Sequence, residues 1–173
     1  MTTPTSAAAV ANAFLDIQDN DAGSFPRIDP MKLQKLVFYA HAWWLAFKND
    51  ALFDEDVCAW PWGPVVPAVY SEFRSFGANP IVGARAHQIV RSGPGPMAFR
   101  YAVPERPNNE VMEFLRGVWE SHKQYTGVQL SNATHSTGEP WTIVKDQYGD
   151  LSPKPVIPND LIRDVFKAKI ATQ

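Results

Sequence analysis

A single cysteine, Cys58, stands in a chain of 173 residues. A lone thiol can form neither an internal disulfide nor a cysteine-based zinc cluster, so the chain needs no oxidising compartment and reads as cytoplasmic. The N-terminus lacks the basic stretch and long apolar run that an export signal requires. No segment approaches the ~18 consecutive apolar residues needed to span a bilayer, which argues against a membrane role. Basic charge is not in excess either: 16 Lys and Arg stand against 18 Asp and Glu, a formal net charge of −2. Affinity for a nucleic-acid backbone rests on neutralising phosphates, so nucleic acid is a poor fit as a partner.

The machinery of catalysis is also sparse. Ser131 and His135 would share one face of a helix, but a serine beside a helix start is usually a cap rather than a nucleophile. His135 and Glu139 are spaced as two metal ligands could be, yet Gly138 and Pro140 break the helix that would align them. No second His or Cys pair completes a set. Gly93-Pro94-Gly95-Pro96 is glycine-rich, but each proline removes an amide donor that a phosphate cradle requires. Asp54-Glu55-Asp56 lacks the glycine and the later glutamate of a calcium loop. No catalytic residue, metal site or cofactor is assigned, and the chain reads as a binding protein rather than an enzyme.

Aromatic residues, in contrast, are plentiful. Six Trp, ten Phe and five Tyr are enough to fill the core of one domain and to leave some for a contact surface. Apolar periodicity predicts a helix from Ala7 to Asp19, capped by Thr5 or Ser6, after a flexible N-terminus over residues 1–5. A stronger helix is expected from Asp29 as cap and Pro30 at the first helical position. Its stripe of Leu33, Leu36, Val37, Ala40, Trp43, Trp44 and Phe47 marks it as the central core helix.

A short strand is expected near Val57. The following Pro61-Trp62-Gly63-Pro64 reads as a rigid turn that no ladder can continue. Pro67 then opens a helix that Gly77 stops. Residues 80–107, broken by Pro80, Gly83, Pro104 and Pro107, are either two small strands or an irregular excursion. Helix resumes after Asn108-Asn109, runs to Tyr125 and ends at Gly127. Short helices follow around 131–135 and from Pro140, and a last one is capped by Asn159. The expected architecture is mainly α, a single compact helical domain over 1–173 with at most a small β element.

Three blocks carry a family resemblance. The first is Met31-Lys32-Leu33-Gln34-Lys35-Leu36-Val37-Phe38-Tyr39-Ala40-His41-Ala42-Trp43. The second is Ala59-Trp60-Pro61-Trp62-Gly63-Pro64-Val65-Val66-Pro67-Ala68-Val69-Tyr70. The third runs from Leu130-Ser131 through Thr134-His135 to Pro140-Trp141. In this order they resemble the Panacea-domain, SocA-like antitoxins; the aromatic before the signature glycine, often a tyrosine there, is Trp62 here.

The resemblance implies a protein that neutralises a cognate toxin by binding it. It also implies a route in which the toxin is delivered to a cytoplasmic AAA+ protease by an adaptor. Trp60, Gly63, Pro64 and Val65 would then be the structural signature. Trp62, Tyr70, Thr134, His135 and Trp141 would line a partner-binding groove. Two rival readings are a DNA-binding autoregulator, against which the charge weighs, and a hydrolase-like enzyme built on His135.

Overall fold

The computed structural model describes residues 3–172. Of the N-terminal stretch 1–5, residues 1 and 2 lie outside that range.

The helix α2 (Pro30–Lys48) is the axis about which the chain packs. The Asp29 carboxylate accepts from the Lys32 backbone amide at 2.7 Å, Pro30 fills the first helical position, and Asn49 ends the helix in the left-handed region. It contacts α1 (Ala7–Asp19), the strand β2 (Gly63–Val65) and α3 (Pro67–Phe73). It also contacts α4 (Asn109–His122), α5 (Gly127–Thr134) and α7 (Asn159–Ala171). Surrounded in this way, it buries polar as well as apolar positions: Lys32, Gln34, Lys35 and His41 have almost no exposed surface. Such burial is costly unless the polar atoms find partners, and here His41 Nδ1 alone of these side chains leaves a buried atom unpaired among the described residues. Lys32 Nζ donates to the carbonyls of Pro26 (2.6 Å) and Lys123 (2.7 Å), and the His41 ring meets Asn159 Oδ1 at 2.9 Å.

Helix α6 (Pro140–Tyr148) completes the α layer, and a single 3-10 turn, Arg74–Phe76, extends α3. The fold is mainly α: seven α-helices among the described residues, with two two-stranded antiparallel ribbons. No helix of the described residues is long and apolar enough to cross a membrane. Ser6 caps α1 and Asn108 caps α4, each side chain accepting a backbone amide of the first turn.

Three local expectations need correction. Pro61 to Pro64 is not wholly a turn: β1 (Cys58–Trp60) pairs with β2 in the register Ala59↔Pro64 and Trp60↔Gly63, so only Pro61 and Trp62 lie outside the ladder. Proline is accepted there because Ala59 directs its amide the other way, to the Pro155 carbonyl at 2.7 Å. Gly127 does not end a helix but begins α5, behind a capping box of Thr126 and Gln129. Glycine is demanded by proximity, since a Cβ there would stand 2.7 Å from the Lys32 backbone nitrogen. Asn159 is the first helical residue of α7 rather than its cap, and its side chain is used on His41.

The 80–107 segment forms the ribbon of β3 (Gln88–Arg91) and β4 (Phe99–Ala102), one of the two forms expected of it. Asn12, buried on α1, holds its root through a reciprocal pair, Nδ2 to the Ala86 carbonyl (3.0 Å) and the Ala86 amide to Oδ1 (2.7 Å).

Candidate functional site

The β1–β2 hairpin is too short to be stable on three ladder pairs alone. It is held instead by side chains from three helices, each aimed at the backbone. Lys35 Nζ of α2 donates to the Pro64 carbonyl (3.2 Å), and Ser131 Oγ of α5 donates to the Trp62 carbonyl (2.6 Å). Trp141 Nε1 of α6 donates to the Trp60 carbonyl (2.7 Å), and the Val66 amide donates to Gln34 Oε1 (2.9 Å). The backbone passes so close to α2 and α5 that Gly63 has no room for a side chain. Its φ is +115°, and a Cβ would fall 2.8 Å from Thr134 Oγ1 and 2.9 Å from Lys35 Cε.

The signature residues therefore divide into a buried set and a presented set. Val65, Thr134 and Trp141 are buried. Thr134 Oγ1 donates to the Ser131 carbonyl (2.6 Å), and the Trp141 ring stacks on His135 at 3.9 Å with an interplanar angle of 16°. Trp60 is half-buried, edge-on to Tyr70 at 4.8 Å, with Lys154 Nζ 4.3 Å over its ring. Trp62, at the tip, exposes 67% of its surface, and Tyr70 exposes 38%. The structure thus brings the five predicted groove residues to one region, with Trp62 and Tyr70 turned outward and Thr134 and Trp141 supporting from within.

The electrostatics beneath the hairpin are unusual. Lys35 has one acceptor and no carboxylate against it among the described residues, and burial pulls its pKa down to about 7. His135 is also pushed down, first by burial and then by the positive charges of Lys35 and Lys145. Both groups are thus biased towards their neutral forms, which avoids a buried uncompensated charge. Two groups of the hydrolase-like reading are otherwise engaged: Ser131 donates to the Trp62 carbonyl and Glu139 Oε1 accepts from Lys169 Nζ at 2.6 Å, while the His135 ring stacks on Trp141 with its Nε2 unpaired among the described residues. A nucleophile needs its hydroxyl directed to a base, and this one is directed to a backbone carbonyl.

Residues 33–142 match the family described as "Antitoxin SocA-like, Panacea domain". The chain belongs to that family. The matched span takes in both ribbons, α3 and the three residues that open α6. A relative in this Panacea family, "Antitoxin SocA" of Caulobacter vibrioides (strain NA1000 / CB15N), is 29% identical over 143 residues, which is 83% of this chain and 72% of the relative. No solved structure matches.

Two features of this Panacea domain were missed by sequence reasoning. Lys35 and Gln34 lie in the first signature block, but periodicity weighs apolar positions and passes over a lysine whose role is to hold a carbonyl. A separate groove of about 940 Å³ lies between α2, α4, α5 and α7, walled by Trp43, Phe47, Phe114, Leu130 and Ile170. Those residues come from four distant stretches of chain, and nothing local signals their meeting.

Proposed function

We propose that the protein is an antitoxin that neutralises a cognate toxin in the cytoplasm by binding it directly, without catalysis. The observation that carries this reading is the hairpin: a stretch of backbone fixed by Lys35, Ser131, Trp141 and Gln34 that offers the Trp62 indole to solvent with Tyr70 beside it. A rigid exposed aromatic binds a partner with little loss of conformational freedom. The relative's printed description as an antitoxin supports the same role. In a second step of this reading, the bound toxin is handed to a cytoplasmic AAA+ protease, with this chain as adaptor.

The test is co-purification with the tagged product of the adjacent gene. A stoichiometric complex is expected, and Trp62→Ala should weaken it by roughly tenfold or more while leaving the melting temperature unchanged. Equal binding by Trp62→Ala would remove the hairpin tip from the interface. The adaptor step predicts that the toxin's half-life in cells lengthens when either this chain or the protease is deleted.

A further inference from the structure

The β3–β4 ribbon carries exposed apolar side chains on both of its strands. Its register places Ile89 opposite Tyr101 and Arg91 opposite Phe99, so these four share one face. Ile89 is 72% exposed, Tyr101 60% and Phe99 52%, although none of them belongs to the core. The other face carries Val90 opposite Arg100. Each strand has one neighbour only, and β4 is the more exposed of the two along its length.

The root is firmly tied, by Asn12 to Ala86 and by Glu72 of α3, which accepts from the His87 amide (2.6 Å) and from the Tyr101 hydroxyl. A well-anchored ribbon with an uncovered apolar face and a free edge is a template for strand addition. Charge indicates what fits it. The strands carry Arg91 and Arg100 and no carboxylate, within a chain whose net charge is −2.

We propose that this ribbon is a second docking arm for the toxin. Its occupant is an extended toxin segment in which apolar residues alternate with Asp or Glu. Laid along β4, such a segment sets its apolar side chains beside Phe99 and Tyr101 and its carboxylates beside Arg100, because successive strand residues point to opposite faces. The inference rests on the antitoxin reading and adds to it a site and a partner chemistry.

The experiment uses the full chain and the tagged product of the adjacent gene, with Arg100→Glu and Phe99→Ser as variants. Both positions are exposed, so thermal melting should match the wild type. Binding should fall by about tenfold or more in each. The wild-type affinity should weaken with added salt more steeply than that of Arg100→Glu. In the complex, backbone amides of residues 99–102 should gain protection from hydrogen exchange. A wild-type complex that both variants form equally well, with no new protection at 99–102, would overturn the docking arm and leave the antitoxin reading intact. Absence of any wild-type complex would overturn both. Loss of self-association or of nucleic-acid binding in the variants, with toxin binding unchanged, would assign the ribbon to another partner and overturn the proposal.

Discussion

Gly127 and Gly117 are both helical glycines, and their surroundings require opposite behaviour. At Gly127 the N-terminus of α5 abuts that of α2, and an added methyl would meet the Lys32 backbone nitrogen at 2.7 Å and Asp29 Oδ1 at 2.8 Å. Neither can yield without disturbing the cap of the central helix. Gly127→Ala should therefore destabilise by about 1–3 kcal/mol, as overpacking does. At Gly117, inside α4, nothing lies within 4 Å of the added carbon. There the substitution removes only unfolded-state freedom, and a gain of roughly 0.4–1 kcal/mol is expected. Urea midpoints of the two variants against wild type would show shifts of opposite sign. A glycine read from sequence alone suggests a helix stop, and Gly127 departs from that because the contacts that require it come from Asp29 and Lys32, distant in the chain.

Among the elements, the two ribbons are secured by different means. The first is fixed by donors from α2, α5 and α6 reaching its carbonyls; the second has a fixed root and a free body. Asn12 is the main tie of that root, since its amide pairs with the Ala86 backbone as a neighbouring strand would. Asn12→Ala leaves a buried amide and a buried carbonyl without partners, a cost of about 1–3 kcal/mol each. The expected result is faster hydrogen exchange at 86–91 and 99–102, with α2 and α7 still protected. Three helix caps are legible in sequence because a cap is settled within four residues: Ser6, Asp29 and Asn108 are found as expected, whereas Asn159 lies inside α7. The strands of 80–107 are ambiguous in sequence because pairing register depends on packing rather than on local preference. The family resemblance assigns roles to Trp60, Gly63, Thr134, His135 and Trp141; that Thr134 and Trp141 lie inside, with Trp62 outside, follows from helix packing that no motif states.

At the scale of the whole molecule, burying ionisable groups in α2 ties stability to pH. Burial holds His41 down to about 4, so between that value and its ordinary 6.5 the unfolded chain binds a proton that the folded chain refuses. Stability rises with pH across that window. Lys35, pulled by burial to about 7 from 10.5, acts likewise above pH 7, and Lys32, pulled by burial to about 8, joins it higher still. Both lysines lose protons in the folded state while the unfolded chain keeps them, so stability again climbs with pH. The variant Lys35→Met has no such proton to lose. Its stability relative to wild type should be highest below pH 7 and should fall by about 1.4 kcal/mol per pH unit between pH 7 and pH 9. Urea titrations at pH 6, 7, 8 and 9 would show converging midpoints; parallel curves would mean that Lys35 is charged in the fold.

The donors that fix the first hairpin reach only peptide carbonyls, those of Trp60, Trp62 and Pro64. Every residue has that group, so the mounting is indifferent to the side chain at position 62. What the tip displays can be exchanged without rebuilding what carries it. On the proposed antitoxin reading, substitutions at this one exposed position would alter the contact with the partner while Lys35, Ser131 and Trp141 stay as they are.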